Sequence, residues 1–138
     1  MLRRRTSTQG QRGFTLIEVL VTLVVVSVGL LGFAGLLTKS IAANRQAYMR
    51  SQASILAHDL SERMRANRAG TLLGAYSMTD KNSAAGDDAL DWVAQLGNAL
   101  PAGDATVSTG SSGDGVTVRI TIRWTDGQDY AFNTQTTL

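Results

Sequence analysis

The longest feature of the hydrophobicity pattern is an apolar run from Phe14 to Thr38, in which Glu18 is the only ionisable side chain. As an α-helix this run would be ~37 Å long, which is enough to cross a hydrocarbon layer of ~30 Å. The pattern therefore predicts a transmembrane helix over residues 14–38. A carboxylate in that layer costs on the order of 3 kcal/mol, so Glu18 needs a charged partner.

The helical pattern continues beyond the apolar run, because residues 39–69 contain neither proline nor glycine and become amphipathic. We expect this half of the helix to end near Gly70. Arg63, Arg65 and Arg68 lie in its last turns, where we expect them to be solvated and to complement the helix dipole. Its apolar stripe is predicted to consist of Ile41, Tyr48, Ile55, Leu56, Leu60 and Met64. Such a stripe must be covered, and residues 70–138 are the part of the chain that can cover it.

Residues 70–138 combine a polar loop, a short helix and a sheet. Residues 71–86 are predicted to be the loop, and Asp87 is predicted to cap a helix over residues 88–100 that Pro101 ends. Its apolar face would hold Leu90, Val93, Leu96 and Leu100, with Trp92 beside it.

After Pro101 the period changes to two, which is typical of strands. Val107 lies in a predicted first strand and a glycine-rich turn follows at residues 110–115. Apolar residues then alternate with polar ones from Val116 to Trp124, and Asp126-Gly127 forms a turn into a third strand over residues 130–136. The sequence thus predicts an α+β fold in which a small antiparallel sheet packs on the amphipathic half of the long helix. The residues expected to form this packing are Tyr48, Ile55, Met64, Trp92, Ile120 and Trp124.

The formal net charge of +2 depends on residues 1–13, which contain four arginines and no acid. By the positive-inside bias, this end of the chain stays in the cytoplasm and the remainder is exported. Without those arginines, nine basic residues remain against eleven acidic ones, so composition gives no reason to expect nucleic-acid binding.

The boundary between the basic leader and the apolar run reads Gly13-Phe14-Thr15-Leu16-Ile17-Glu18. This motif resembles the type IV prepilin family, whose members have a short basic leader ending in glycine before Phe-Thr-Leu-Ile-Glu and an apolar helix. The resemblance implies the type IV pilin fold, cleavage after Gly13 by a prepilin peptidase, and N-methylation of Phe14 by the same enzyme. It also implies that Glu18 pairs with the N-terminal ammonium of a neighbouring subunit. A plain signal-anchor with an accidental acid is the alternative.

Glycines at 29, 32 and 35 mark a weaker part of the helix, because glycine costs about 1 kcal/mol relative to alanine in a helix interior. Two interpretations remain open for Gly29, Gly32 and Gly35. Resemblance to pilins suggests local unwinding during assembly, whereas small residues also allow simple close packing of neighbouring helices.

The second half of the helix resembles the PilV class of minor pilins, the type IV pilus modification proteins. Residues 44–53 contain Ala-Tyr-Met-Arg-Ser-Gln-Ala, and residues 63–67 read Arg-Met-Arg-Ala-Asn. The chain has no cysteine and therefore lacks the disulfide loop of many major pilins, which favours a minor subunit.

Enzymatic and metal chemistry find little support in the sequence. There is one histidine, His58, no cysteine, no Gly-x-Ser-x-Gly motif, no phosphate loop and no calcium-loop spacing among the aspartates. We therefore expect no catalytic residues, no metal and no cofactor.

The sequence leads to the hypothesis of a minor pilin that helps to prime or display a type IV pilus, supporting adhesion, twitching motility or DNA uptake. It would be a single-pass inner-membrane protein with a periplasmic head (70–138) and would then join the fibre. Its partners would be the prepilin peptidase/N-methyltransferase, the assembly platform, other minor pilins and the major pilin. A type II secretion pseudopilin and a membrane-anchored periplasmic binding module are the alternatives.

Overall fold

The computed structural model describes residues 13–112 and 115–138. Residues 1–12 of the leader predicted at residues 1–13, and positions 113–114 of the glycine-rich turn, lie outside the described residues. Helix α1 spans Leu16–Ala66. The chain divides into two compact units, the first ending at Ala42 and the second covering residues 43–138.

In the first unit, the apolar side chains of α1 are exposed along its whole length. It belongs to the one helix among the described residues that is long and apolar enough to cross a membrane. Its hydroxyl groups donate to the helix's own carbonyl oxygens: Thr22 to Glu18 at 2.7 Å, Ser27 to Leu23 at 2.7 Å and Thr38 to Ala34 at 3.0 Å. These bonds satisfy the hydroxyl donors within the helix itself.

In the second unit, α1 packs on the head through a stripe that differs from the predicted one. Tyr48 and Ile55 are 62% and 58% exposed, so the prediction that they pack in the head is wrong. The buried residues of α1 are Met49, Ala53, Leu56, Ala57, Leu60, Ser61 and Met64. The predicted stripe consists of large apolar side chains, whereas the observed one includes Ala53 and Ala57. Their small side chains allow the head to approach the helix closely.

Helix α1 ends at Ala66 and a second, five-residue helix, α2, follows at Arg68–Leu72. Asn67 caps α2, because its side-chain oxygen accepts a bond from the Gly70 N–H at 3.0 Å. Gly70 therefore lies inside a helix and does not end one, contrary to prediction. Thr71 donates its hydroxyl to the Met64 carbonyl oxygen at 2.9 Å, which ties α2 back to the end of α1.

The predicted loop at residues 71–86 also contains a 3-10 turn at Lys81–Ser83, capped by the Asp80 carboxylate. Helix α3 follows at Asp87–Ala99. Gly86 precedes it with φ of 97° and makes no side-chain cap, so the prediction that Asp87 caps this helix is wrong. The carboxylate of Asp87 lies in the first turn, where the helix dipole favours it.

The inner face of α3 centres on Trp92 rather than on Leu90. Ala89, Trp92 and Leu96 are buried, whereas Leu90 is exposed. The Trp92 indole Nε1–H donates to the Leu56 carbonyl oxygen on α1 at 3.0 Å, which joins the two helices across the core.

Three antiparallel strands form the sheet: β1 at Asp104–Ser112, β2 at Gly115–Thr125 and β3 at Asp129–Thr137. Their order is β1-β2-β3, with Ile122 opposite both Ala105 and Phe132. The alternation predicted for the central strand is confirmed, since every second residue from Val116 to Trp124 is buried. The chain turns between β2 and β3 at Gly127, whose φ of 70° suits glycine.

The core lies between α1, α3 and the inner face of the sheet. Met64, Trp92, Ile120 and Trp124 are all part of it, together with Tyr76 and Met78 from the loop. The outcome is the α+β fold expected from the sequence.

Candidate functional site: the start of the long helix

The residues that the sequence assigns to processing lie in and just before the first turn of α1. Gly13, Phe14 and Thr15 are not helical, and α1 begins at Leu16. The Phe14 side chain is 82% exposed. The Gly13–Phe14 peptide bond thus lies outside the helix, between two exposed residues.

Thr15 caps the helix. Its hydroxyl oxygen accepts a bond from the Glu18 N–H at 3.3 Å, and its carbonyl oxygen accepts from the same N–H at 3.0 Å. Thr-x-x-Glu is the sequence of a capping box, in which the residue at the position of Glu18 lies in the positive end of the helix dipole. Sequence reasoning took Glu18 only as a candidate for an intermolecular pair and missed this local reason for a Thr15–Glu18 spacing.

The Glu18 side chain makes no ion pair and no side-chain hydrogen bond with any of residues 13–112 or 115–138. Its described neighbours along the chain are apolar except for two threonines, of which Thr15 accepts from the Glu18 N–H and Thr22 donates to the Glu18 carbonyl oxygen. The carboxylate therefore has acceptor capacity that nothing in the described part of one chain uses.

The glycines at 29, 32 and 35 lie inside α1, which runs through them without a break. A Cβ atom built at any of the three would meet nothing within 4 Å. No side chain therefore projects from the helix surface at these three positions.

A second polar cluster, which sequence reasoning missed, holds the head together at the end of α1. Arg63 donates through Nε to the Asp59 carboxylate at 2.8 Å and through a terminal nitrogen to Asp88. The Tyr76 hydroxyl donates to the other oxygen of Asp88 at 2.6 Å and accepts from the Asn67 side chain at 3.3 Å. Arg63 is thus an ion-pairing residue, and its description as a solvated helix end is wrong.

The electrostatics of this cluster follow from its contacts. The hydrogen bond from Tyr76, together with Arg63, lowers the pKa of Asp88 below its ordinary value. Burial raises the pKa of the Tyr76 phenol, and the bond to Asp88 raises it further. The bond to Asp88 likewise raises the pKa of Arg63. The cluster is therefore most stable with Asp88 ionised and Tyr76 neutral, which is a structural role.

His58 is exposed on α1, and the described residues contain no group of three or more histidine, aspartate or glutamate side chains that could hold a metal.

Two family models match adjacent parts of the chain. The prokaryotic N-terminal methylation motif matches residues 8–34, and the model described as type IV pilin Tt1218 matches residues 35–89. No curated protein and no solved structure matches the chain. The first match covers Gly13, Phe14 and Glu18, and the second covers the amphipathic half of α1 through the start of α3. Over residues 8–89 the chain is therefore similar to a prepilin methylation motif followed directly by a type IV pilin domain, and type IV pilins are structural subunits rather than enzymes.

Proposed function

We propose that the chain is a minor pilin of the PilV class, which is cleaved after Gly13, methylated at Phe14 and incorporated into a type IV pilus. The observation that carries the proposal is the Glu18 carboxylate, which has no partner within residues 13–112 and 115–138 and lies in the first turn of a helix whose other side chains in residues 14–38 are uncharged. Cleavage would create an ammonium group at Phe14. The same group on an adjacent subunit is the counterion that the carboxylate lacks.

The physical argument concerns two charges that are each costly in a low-dielectric layer. Their mutual attraction is strong there, and pairing relieves the desolvation penalty of both. Because Glu18 and Phe14 are four residues apart on one chain, a pair formed between subunits also sets the axial position of one helix against the next. The exposed Gly13–Phe14 bond is compatible with cleavage by a peptidase on the cytoplasmic side.

The exposed face of α1 supports assembly into a fibre. Tyr48 and Ile55 are seven residues apart on the same side of the helix and are turned away from the head core. A spacing of seven is the repeat with which one helix packs along another. These side chains offer apolar contact area to a neighbouring subunit.

The assignment to the PilV class depends on the helix sequence and on composition. Residues 44–53 and 56–68 resemble that class, and the absence of cysteine fits a minor subunit better than a major one. In this proposal residues 1–13 are the leader, 14–38 the membrane and polymerisation half of the helix, 39–69 its amphipathic half and 70–138 the periplasmic head. Display of the pilus would support adhesion, twitching motility or DNA uptake.

The test is a Glu18→Gln variant expressed in place of the wild-type chain, with mass spectrometry of the mature N-terminus. We expect the wild-type chain to begin with methylated Phe14 and to be found in sheared pili. Glu18→Gln should be cleaved but largely lost from the fibres. Glu62→Gln is a matched control, because Glu62 lies on the same helix in an exposed pair with Arg65.

Three results would contradict the proposal. A mature chain that still begins with Met1 would contradict cleavage after Gly13. Unchanged incorporation of Glu18→Gln would contradict the charge pair between Glu18 and the Phe14 ammonium group. Loss of exoprotein secretion with normal pili, on deletion of the gene, would assign the chain to a type II secretion pseudopilus instead.

A further inference from the structure

The two edges of the sheet are protected differently. On the β1 edge, Met78 exchanges two backbone hydrogen bonds with Val107, at 3.0 and 2.8 Å, and the Lys81 N–H donates to the Asp104 carboxylate at 2.8 Å. On the β3 edge, no strand pairs with the outer side anywhere in the described ranges 13–112 and 115–138. One edge is covered and the other is open.

The register tells which groups the open edge presents. Val116 and Leu138 exchange two backbone hydrogen bonds, at 2.9 and 3.4 Å, immediately beyond the Thr117–Thr137 pair. Because bonded and non-bonded pairs alternate in an antiparallel ladder, the even-numbered residues of β3 face β2. The outward N–H and C=O groups belong to Ala131, Asn133, Gln135 and Thr137.

The side chains of β3 do nothing to block that edge. Asp129 is its only charged residue, and the strand contains no lysine and no proline, which are common protections of natural edges. Tyr130 and Phe132 point to the inner face, contact the core and remain half-exposed. An added strand would satisfy the outward backbone groups and complete the burial of both rings, so the missing element is an extended backbone.

The direction of α1 limits which chain can supply the strand. Arg45 pairs with Asp126 at the β2–β3 turn, at 2.9 Å, whereas Leu72, just after α1, lines a groove with Gly110 and Val116 at the opposite end of the sheet. Within residues 43–138, α1 therefore runs in the same direction as β1 and β3.

This direction argues against a second copy paired through β3. An antiparallel pair of β3 strands has a two-fold axis perpendicular to the sheet, which would reverse one α1 relative to the other. Two subunits with parallel helices can join their sheets only through a parallel strand pair. In this fold the neighbour's β1 has the required direction, but β1 of this chain is covered by Met78.

We propose that β3 receives, as a fourth strand, the first strand of a second, co-oriented pilin subunit of different sequence. The inference rests on the proposed function, because it takes the partner to be a pilin. Strand addition then proceeds on one side only, since the covered β1 edge cannot accept a further subunit. The chain terminates a row of joined sheets.

The test replaces Asn133 and measures copurification with other pilins from detergent-solubilised membranes and sheared fibres. Asn133→Pro removes an outward N–H without removing a bond to β2, and Asn133→Lys keeps the N–H but places a charge at the edge. We expect about tenfold less of the second pilin with either variant, at an unchanged unfolding temperature. Thr109→Pro is the control, because its N–H also points away from β2 but lies on the β1 edge, two residues beyond the bridge between Met78 and Val107.

A photo-crosslinking residue, p-benzoylphenylalanine, at position 133 identifies the occupant. The proposal expects the crosslinked peptide to come from the first strand of a different pilin. A peptide from this same chain, or from a protein that is not a pilin, would overturn it. Unchanged copurification of both Asn133 variants would overturn strand addition alone, whereas a wild-type chain that copurifies with no pilin would overturn the proposed function as well.

Discussion

Trp92 and Leu56 are joined by a buried hydrogen bond of 3.0 Å from the indole Nε1–H of α3 to a backbone carbonyl oxygen of α1. The other tryptophan of the chain, Trp124, is equally buried, but its Nε1–H has no partner among the described residues. It stacks instead on Tyr130, with ring centroids 5.7 Å apart. Both indoles thus lie in the same core, but within the described residues the N–H of Trp92 is hydrogen-bonded and that of Trp124 is not.

Replacing each tryptophan by phenylalanine tests how much the Trp92 hydrogen bond adds to the stability of the head. Both changes remove the same atoms, but Trp92→Phe loses a hydrogen bond whereas Trp124→Phe removes an unsatisfied donor. We expect Trp92→Phe to lower the free energy of unfolding by about 2 kcal/mol more than Trp124→Phe does. Urea denaturation in detergent, followed by circular dichroism, measures the difference. Equal losses would show that the Trp92 bond adds no net stability.

The Asp88 cluster, which consists of Asp59, Arg63, Asn67, Tyr76 and Asp88 at the end of α1, predicts that the head is sensitive to acid. The folded-state pKa of Asp88 is lowered, so its contribution is complete above the unfolded value of ~3.9 and is lost as the pH falls through the lower folded value. Because the Asp88 side chain is 44% exposed, we expect the effect to be below about 1 kcal/mol. Asp88→Asn should flatten the decline of the unfolding temperature between pH 5 and pH 2, as measured by thermal denaturation, relative to wild type.

Asp91→Asn is the matched control for this experiment, because Asp91 is an exposed carboxylate on the same helix and outside the cluster. Asp91→Asn should leave the decline of the unfolding temperature between pH 5 and pH 2 as it is in the wild type. If Asp88→Asn and Asp91→Asn gave the same profile as wild type, the contacts of Asp88 with Tyr76 and Arg63 would carry no pH-dependent stability.

The sheet could be predicted from the sequence because its information is local. Strict alternation from Val116 to Trp124 has one interpretation, and the turn at Gly127 follows from two adjacent residues. The buried stripe of α1 could not be predicted, because the helix has apolar side chains on two faces and only the head decides which one it covers. The Asp88 cluster is also invisible in the sequence, since Arg63 and Asp88 are 25 positions apart.

The candidate site shows the same division. Gly13, Phe14 and Glu18 belong to one contiguous motif of six residues, so the sequence alone locates them, and a family model covers them. The capping bond between Thr15 and Glu18 is also local, and the Thr-x-x-Glu spacing would have indicated it. What the sequence does not contain is the difference between the two sheet edges, because Met78 reaches Val107 across 29 positions.

The two faces of α1 should respond differently to alanine. Leu60→Ala removes a fully buried side chain and is expected to cost about 3 kcal/mol of unfolding free energy. Tyr48→Ala and Ile55→Ala act on exposed side chains and should cost less than about 0.5 kcal/mol, yet they should reduce incorporation into fibres. Unfolding curves and quantitative immunoblots of sheared pili separate the two effects. A large loss of stability with Tyr48→Ala would contradict the observed orientation of the helix.

The connection from α1 to α2 predicts a non-additive pair of substitutions. A Cβ atom at Gly70 would lie 2.6 Å from the Asn67 side chain, which is held by its bonds to the Gly70 N–H and the Tyr76 hydroxyl. Gly70→Ala should therefore displace the cap and lower the free energy of unfolding by about 1 kcal/mol. Asn67→Ala removes the same cap and should cost a similar amount. Once the asparagine side chain is gone, the methyl group at position 70 has room and alanine favours the helix, so the double variant should be no less stable than Asn67→Ala alone. A double variant whose loss equals the sum of the two single losses would show that the cap and the close approach act independently.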